Sequence, residues 1–297
     1  MSSEFRRVAV VGRFDDPHVA EPMTALVAHL NEAGIEVVAP TENTLNMVAT
    51  RVEESKLATE ADLMIAIGGD GTMLYAGNLA CKGDIPLLGI NRGRLGFLAD
   101  VSPDDMLASV DFILAGDYGA ESRLLLSAIL QTPDGETVSA TALNDVVLQR
   151  RETGRMVDLV TSISGHYVNT HSGDGLIVAT PTGSTAYALS CGGPIIEPKL
   201  DAIVVVPICP HTLTDRPVVV PANRVIDIKV LEREDTKAEV TVDGHAIGEM
   251  RPGDTLTIRA ADNRIRLVHP PGYDFYSILR SKLFWGRNSR IHDDRAD

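Results

Sequence analysis

The 297-residue chain contains only three cysteines, Cys81, Cys191 and Cys209, and no CxxC pair. An odd, scattered set of cysteines excludes a disulfide framework and a zinc ribbon, and it is typical of a reducing compartment. The N-terminal residues hold an apolar stretch of only four residues, too short for a secretory signal. The most apolar segment, residues 202–209, is interrupted by Pro207 and falls far short of the roughly 20 residues that span a bilayer. We therefore expect a cytoplasmic protein without a membrane partner.

Positive charge is also scarce, because 27 Lys and Arg face 41 Asp and Glu for a formal net charge of −14. The sequence-independent part of nucleic-acid binding needs a basic face, so nucleic acid is not expected as a partner. An anionic membrane surface is disfavoured for the same reason. Backbone N–H groups and a few arginines can still bind phosphate locally, so the charge leaves small phosphorylated ligands open.

Several nucleotide and metal motifs are missing. No GxxxxGKS or GxxxxGKT run is present, and no GxGxxG follows the first strand, which disfavours a P-loop enzyme and a conventional Rossmann dehydrogenase. The eight histidines show no HExxH or other close metal-binding spacing. We expect no metal site built from protein side chains alone.

The pattern of apolar residues changes near residue 121. Before this point, continuous apolar strands alternate with helical stretches, which indicates an open, mostly parallel α/β sheet covered on both faces. After it, residues 225–230, 239–242, 255–258 and 265–268 alternate apolar and polar side chains, which is typical of half-exposed antiparallel strands. The predicted fold is an α/β N-terminal domain, residues 1–122, and a β-rich C-terminal domain, residues 123–271. The tail, 272–297, returns to helical spacing and could rejoin the first domain.

The glycine-rich run Gly68–Thr72 follows the strand at residues 62–67 and precedes a helical stretch. Glycines let the backbone approach a ligand, and the N–H groups that open a helix favour phosphate. Gly68, Gly69, Gly71 and Thr72 are therefore predicted phosphate contacts, with Asp70 held in the same turn. Arg92 follows the next strand and could add a cationic contact. A plain strand–turn–helix connection with a capping side chain is the structural alternative.

Polar residues also gather in the second half. The segment 173–187 places small hydroxyl and carboxylate side chains around a strand, which suits ribose and phosphate, and Tyr187 could pack against a base. A pair of β-turns with Tyr187 in the core is the alternative. Asn144 and Asp145 are polar residues at a strand-like site, where they are costly to bury unless paired; they could bind a ligand or form a bulge.

Taken together, these runs resemble the NAD kinase family. The GGDGT loop at residues 68–72, the Asn144-Asp145 pair and the TPTGSTAY-containing run at 174–194 match the motifs of that family, and the resemblance extends from Arg7 to about Trp285. The GGDGT loop is shared with phosphofructokinases and with diacylglycerol and sphingosine kinases, whereas the second run is specific to NAD kinases.

The resemblance implies an ATP-dependent transfer of the γ-phosphoryl group to the 2′-hydroxyl of the adenosine ribose of NAD, with a divalent cation, Mg²⁺, accompanying ATP. It also implies a homodimer or homotetramer. Asp70 would be the catalytic base. The predicted NAD contacts are Asp70, Gly71, Asn144, Asp145, Arg155, Asp174, Thr185, Ala186, Tyr187, Ala188, Leu189, Ser190 and His245.

One departure from the family lies directly before Asp174, where Ser172 stands at a position at which many bacterial relatives carry a longer, often basic side chain. The choice between NAD and NADH is therefore open. Two other functions also stay open from the residues alone. One is a lipid or sugar kinase that shares the GGDGT loop, and the other is a nucleotide-binding regulator without turnover.

Overall fold

The computed structural model describes residues 4–93, 96–151, 156–232 and 237–285. The chain divides into two compact units. The first comprises Met1–Glu121 with Ile265–Asp297, and the second comprises Ser122–Arg264.

The secondary-structure elements follow in chain order. The strands are β1 (Arg7–Gly12), β2 (Glu36–Pro40), β3 (Thr50–Val52), β4 (Leu63–Ile67), β5 (Leu87–Ile90), β6 (Gly119–Arg123), β7 (Leu126–Gln131), β8 (Thr137–Ala142), β9 (Asp145–Arg150), β10 (Val157–Ile163), β11 (His166–Gly173), β12 (Gly175–Ala179), β13 (Ala202–Ile208), β14 (Val218–Pro221), β15 (Ile226–Val230), β16 (Ala238–Val242), β17 (His245–Met250), β18 (Thr255–Ala260) and β19 (Ile265–His269). The helices are α1 (Pro17–Glu32), α2 (Asp70–Gly83), α3 (Met106–Leu114), α4 (Tyr187–Ser190) and α5 (Phe275–Leu283). Short 3-10 turns occupy Glu54–Lys56 and Gly183–Thr185.

The first unit is built on a seven-stranded sheet with the order β3-β2-β1-β4-β5-β19-β6. Strands β1, β4 and β5 are buried along most of their length, which explains their continuous apolar sequences. The chain moves from β1 to β2 and later returns on the other side of β1 as β4, and both neighbours run parallel to β1. The strand order therefore reverses at the carboxyl ends of β1 and β4, which is where open α/β sheets bind ligands.

Helix α1 illustrates how the sequence determines where a helix of this unit begins and which face it buries. Asp16 accepts a hydrogen bond from the His18 N–H at 3.0 Å, and Pro17 takes the first helical position. The buried face carries apolar side chains at helical spacing, namely Val19, Met23, Leu26, Val27 and Leu30. This face joins α3 and the sheet in one apolar core. Within the residues described above, no helix is both long enough and apolar enough to cross a membrane.

The second unit contains two six-stranded sheets, in the orders β11-β10-β15-β18-β7-β8 and β14-β13-β12-β9-β16-β17. Their strand pairs are antiparallel, as between β12 and β9 or between β18 and β7. One apolar core contains side chains from both sheets, including Leu256 of β18 and Leu176 of β12. The opposite face of β12 is covered by Ala188 and Ile196, so this strand is buried on both sides.

The predicted fold class, an α/β half followed by a β-rich half with a tail that rejoins the first, is confirmed. One strand was assigned wrongly. The alternation at residues 265–268 predicted an antiparallel strand of the β-rich half, but β19 lies in the sheet of the first unit and pairs parallel with β5 through Leu267 and Leu87. Alternation reports only that one strand face is more polar than the other; it carries no information about the neighbouring strand or its direction.

The sandwich core of the second unit gives a stability prediction. Leu256 is fully buried, whereas Leu213 is 92% exposed in the same unit. Leu256→Ala leaves a cavity between the sheets and should lower the free energy of unfolding by about 3 kcal/mol, measured by urea denaturation. The matched variant Leu213→Ala should change it by less than about 0.5 kcal/mol. Equal effects of the two variants would contradict this packing.

Candidate active site

The glycine run of the first unit connects the end of β4 to the start of α2. Gly68 donates its N–H to the carbonyl of Ile90 at 2.9 Å, and a Cβ on Gly68 would collide with the side chain of Thr72. Only glycine therefore permits this tight connection. Around Gly69 and Gly71 there is open space, so their backbones are accessible at the first turn of the helix. These are the N–H groups that a phosphate can reach.

A cavity of about 390 Å³ lies against this turn, at the point where the strand order reverses. It is lined by Val11, Gly12, Arg13, Gly69, Gly71, Thr72, Tyr75 and Arg92. The structure thus brings together four of the predicted phosphate contacts, whereas Gly68 is buried behind them. The lining residues that the structure describes include two arginines, one of which (Arg92) is paired with Asp16, and no carboxylate. This local charge suits an anion.

The carboxylate of Asp70 is fixed by a neighbouring loop. It accepts hydrogen bonds from the N–H of Phe97 at 3.1 Å and of Leu98 at 3.0 Å, one on each oxygen. A Cβ on Gly96 would collide with this carboxylate, so the loop can approach it only because residue 96 is glycine. Each carboxylate oxygen has a second acceptor site, which is available to a ligand hydroxyl.

Asn91 holds that loop in shape. Its buried side chain donates from Nδ2 to the carbonyl of Val101 at 2.9 Å and accepts the N–H of Gly93 on Oδ1 at 2.8 Å. The end of the loop is tied down again where Asp100 contacts Nδ1 of His269 at 2.8 Å. The sequence pattern indicated a ligand edge here but did not indicate the structural role of Asn91. The neighbouring Arg94 lies outside the described residues.

In the second unit, Asn144 and Asp145 stand at the start of β9 and are held by Asp243. The carboxylate of Asp243 accepts three backbone N–H groups, from Leu143 at 2.8 Å, Asn144 at 2.8 Å and Asp145 at 3.1 Å. Asp243 and Gly244 both have positive φ, 46° and 81°, as a two-residue type I′ hairpin turn requires. Sequence reasoning missed Asp243 as the anchor of the Asn-Asp pair.

Burial raises the pKa of both carboxyl groups of this cluster, Asp145 and Asp243. Burial raises the pKa of Asp145 to about 7, and the charge of Asp243 adds to the rise. The pKa of Asp243 is also raised by burial, although its three N–H donors and His245 act in the opposite direction. Asn144 is partly exposed, and its side chain forms no hydrogen bond to another residue that the structure describes. Its amide can therefore serve a ligand.

The hydroxyl-rich loop after β12 differs from the sequence-based interpretation. Thr180 and Ser184 are fully buried, and their hydroxyls donate to the carbonyls of Leu143 at 2.5 Å and Pro181 at 2.6 Å. These two hydroxyls shape the loop and cannot reach a ribose. They bond internally because a buried hydroxyl without a partner would be costly.

The predicted NAD contacts of this loop divide by exposure. Tyr187 and Ser190 are exposed, Thr185, Ala186 and Leu189 are partly exposed, and Ala188 is buried in the apolar layer over β12. The Tyr187 hydroxyl accepts a hydrogen bond from Gln149 at 2.7 Å. Ala188 can therefore offer a ligand nothing from its side chain.

The remaining predicted contacts lie near the same strands. Asp174 forms an ion pair with Nε of Arg150 at 2.9 Å. His245 is exposed, and its Nδ1 lies 3.2 Å from the carbonyl of Asp243. Arg155 lies outside the described residues.

Comparison with known proteins identifies the family. Residues 8–118 match the model of the ATP-NAD kinase N-terminal domain, and residues 143–270 match that of the ATP-NAD kinase C-terminal domain. The NAD kinase of Nitrosococcus oceani is 40% identical over 290 residues, which cover 97% of this chain and 99% of that protein. The crystal structure of yeast NADH kinase complexed with NADH has a TM-score of 0.87 at 25% identity, covering 96% of this chain and 89% of that one. An Archaeoglobus fulgidus NAD kinase in complex with ATP has a TM-score of 0.70 at 27% identity, covering 94% and 97%.

The glycine turn at the start of α2, the arginine-lined cavity and the anchored carboxylate are the features expected of a phosphotransferase with an α/β sheet. The chain belongs to the NAD kinase family, and the prediction of an ATP-dependent NAD kinase is confirmed.

The buried Asp145 should make stability depend on pH. Because its folded pKa is raised, its contribution is fully present below the ordinary carboxyl pKa and is lost as the pH rises through about 7. Between pH 5 and pH 8 the free energy of unfolding of the native protein should fall by on the order of 2–4 kcal/mol more than that of Asp145→Asn. Urea denaturation of both proteins at the two pH values checks this, and parallel pH dependences would contradict it.

The close approach of Gly96 to Asp70 gives a second prediction. A methyl group at residue 96 must displace the carboxylate or the loop, so Gly96→Ala should lower kcat for NADP formation by about 10- to 100-fold. Gly119→Ala is the matched control, because Gly119 is exposed in β6 and has open space around its Cα. A Gly96→Ala enzyme as active as the Gly119→Ala enzyme would disprove the steric role.

Proposed function

We propose that the protein transfers the terminal phosphoryl group of ATP to the 2′-hydroxyl of the adenosine ribose of NAD, and that Asp70 orients this hydroxyl and receives its proton. The observation that carries the proposal is the position of the Asp70 carboxylate. It is held by two N–H groups at the first turn of α2, between two glycines whose backbones line an arginine-containing cavity. The group proposed to accept the proton and the surface proposed to bind phosphate thus share one turn.

The proposed reaction does not require Asp70 to be a strong base. Phosphoryl transfer passes through a loose transition state, so the alignment of the two oxygens and the neutralisation of charge matter more than early deprotonation. The hydrogen bonds from Phe97 and Leu98 fix the direction of the carboxylate and leave one acceptor site on each oxygen. One of these sites would accept the hydrogen bond of the 2′-hydroxyl and take the proton late, as the new P–O bond forms.

The phosphates of the donor would bind to the turn itself. Gly69 and Gly71 offer backbone N–H groups at the N-terminus of α2, a helix of 14 residues whose dipole favours an anion there. Thr72 and Arg92 also line the cavity and supply a hydroxyl and a guanidinium group. These side chains and amides would neutralise the charge that develops on the transferred group.

NAD would be held by the second unit, which we propose to be the dinucleotide-binding domain. Asn144 offers an amide that bonds no other described residue, and the exposed groups of Tyr187, Ser190 and His245 provide an aromatic face, a hydroxyl and an imidazole. Asp174 and Asp145 are carboxyl groups that could bind ribose hydroxyls. The likeness to a yeast enzyme solved in complex with NADH supports this assignment. The proposed contacts also include Gly71, Arg155 and the backbone of residues 185–189.

A divalent cation, which we propose to be Mg²⁺, would accompany ATP and neutralise its phosphate charge. In the described part of the chain, no three His, Cys, Asp or Glu side chains come together as a metal site. Mg²⁺ usually keeps several waters and binds through substrate phosphates with one or two carboxylates. Asp70 is the residue that could contribute such a carboxylate.

From the family resemblance we also propose a cytoplasmic homodimer or homotetramer, which sedimentation of the purified protein tests. The activity itself is tested by incubating the purified protein with NAD, ATP and Mg²⁺ and detecting NADP with glucose-6-phosphate dehydrogenase. Parallel reactions with NADH and with polyphosphate identify the acceptor and the donor. Absence of NADP in all reactions would refute the proposal.

The role of Asp70 is tested by Asp70→Asn. The amide cannot accept the hydroxyl proton, so kcat should fall by at least about 100-fold. The KM for NAD should stay within about twofold of the native value, because binding relies on other groups. Asp117→Asn, at an exposed position in the same unit, is the matched control and should retain full activity. Near-native turnover by Asp70→Asn would exclude Asp70 as the proton acceptor.

A further inference from the structure

His269 is a buried titratable residue that the scheme above does not use. It is the last residue of β19, and its side chain is only 4% exposed. Strand β19 lies between β5 and β6 in the sheet of the first unit, so the imidazole stands next to the strand that leads into the loop around Asp70. A polar ring in such a place is costly to bury unless its nitrogens are paired.

Both ring nitrogens of His269 face carboxylates. Nδ1 lies 2.8 Å from Oδ2 of Asp100, and Nε2 lies 3.8 Å from Oε2 of Glu121 in β6. An ionised carboxylate can only accept, so Nδ1 is the donor in the shorter contact. The side chain of Asp100 is 8% exposed, and its other oxygen, Oδ1, forms no hydrogen bond with a residue that the structure describes. The imidazole is therefore the group that fixes the Asp100 carboxylate.

Asp100 directly follows the turn that binds Asp70. This turn, residues 96–99, is closed by a hydrogen bond of 2.9 Å from its first N–H to its last carbonyl. Its two middle residues donate the N–H groups that hold the Asp70 carboxylate. The bond from His269 thus fixes the end of the short segment that carries both donors.

The chain after β19 contacts this turn a second time. Nζ of Lys282, in the last turn of α5, lies 5.9 Å from the centre of the Phe97 ring, within the range of a cation–π interaction. Tyr273 stacks on His269 with 3.7 Å between the ring centres, which restricts rotation of the imidazole. The C-terminal segment of the chain therefore supports the turn that orients Asp70.

Stability alone does not account for the buried pair of His269 and Asp100. Apolar side chains of similar volume often stabilise a core as well as a buried ion pair does, because both charged groups must leave water. A fully buried hydrogen bond, in contrast, makes the arrangement of the groups that it joins rigid and unique. The pair therefore suits a role in geometry.

We propose that His269 is a positioning residue for the phosphoryl transfer, which acts through Asp100 on the turn 96–99 and so sets the direction of the Asp70 carboxylate. The inference rests on the proposed function, because it takes Asp70 as the group that orients the ribose hydroxyl. Misplacing an aligning group by an ångström can lower a rate about 100-fold. His269 therefore affects the turnover step and leaves the affinity for both substrates unchanged.

Two related substitutions test this role. In His269→Asn the amide nitrogen takes the place of Nδ1 and can still donate to Asp100, whereas in His269→Gln it takes the place of Nε2 and cannot. Both variants lose the stacked ring, so the difference between them reports the bond to Asp100. His269→Gln should lower kcat for NADP formation by about 10- to 100-fold, with both KM values within about twofold of native. His269→Asn should retain most of the native kcat.

Amide hydrogen exchange of the substrate-free protein gives a second readout that needs no turnover. The N–H groups of Phe97 and Leu98 should exchange at least about tenfold faster in His269→Gln than in His269→Asn, because their bonds to Asp70 open more often. Strands β1 and β4 should keep their native exchange rates, which separates this local effect from a general loss of stability.

His29→Gln is the matched control, because His29 pairs with Asp111 at 2.6 Å in the same unit, between α1 and α3. It should change neither kcat nor the exchange of the turn. If the His269 variants fail to fold, Asp100→Leu and Asp100→Asn make the same comparison from the other partner. The amide oxygen of asparagine still accepts from Nδ1, so kcat should fall only in Asp100→Leu.

Equal kcat values within the pair of variants that folds would overturn the proposal. Unchanged exchange of the Phe97 and Leu98 N–H groups in His269→Gln would overturn it as well. If the native protein forms no NADP, the proposed function fails, and the exchange comparison still decides whether His269 holds the turn.

Discussion

The orientation of the Asp70 carboxylate depends on two hydrogen bonds, those from the N–H groups of Phe97 and Leu98. They join the first turn of α2 to the loop that follows β5. The buried side chain of Asn91 donates a hydrogen bond to the carbonyl of Val101 and accepts one from the N–H of Gly93. Because residue 96 is glycine, no Cβ collides with the carboxylate. A charged side chain with several rotamers is thereby reduced to one orientation before any ligand arrives, which is what a positioning role in catalysis requires.

The second unit also contains a carboxylate that is fixed by backbone N–H groups, but its surroundings differ. The carboxylate of Asp243 accepts three N–H groups from residues 143–145 and fixes the backbone of the Asn144-Asp145 pair. Here, however, the anchored carboxylate lies beside a second buried carboxyl group, and both have raised pKa values. Thr180 and Gly183 pack against the same backbone from the other side. The turn at Asp243 and the loop at 180–183, which are distant in sequence, therefore both hold the backbone of Asn144 and Asp145.

Local sequence patterns predicted the helices and turns, because these elements depend on residues that are close in sequence. The alternation of apolar strands with helical stretches predicted the α/β half, and the glycines at 68–71 predicted the tight turn into α2. The role of Asp243 was missed because its partners lie 98 to 100 residues away, and no periodicity reports such bonds. The burial of Thr180 and Ser184 was missed for a related reason. Hydroxyls in a loop have the same sequence pattern whether they face a ligand or a backbone carbonyl.

The ion pair between Arg92 and Asp16 has a consequence for how tightly an anion can bind beside it. A guanidinium group that is already neutralised must release or share its carboxylate when a phosphate takes its place, and the energy of that exchange is subtracted from the attraction. Asp16 would not be left bare, since it also accepts the His18 N–H at the start of α1. Such an exchange of partners would weaken the binding of an anion beside Arg92 and would speed its release.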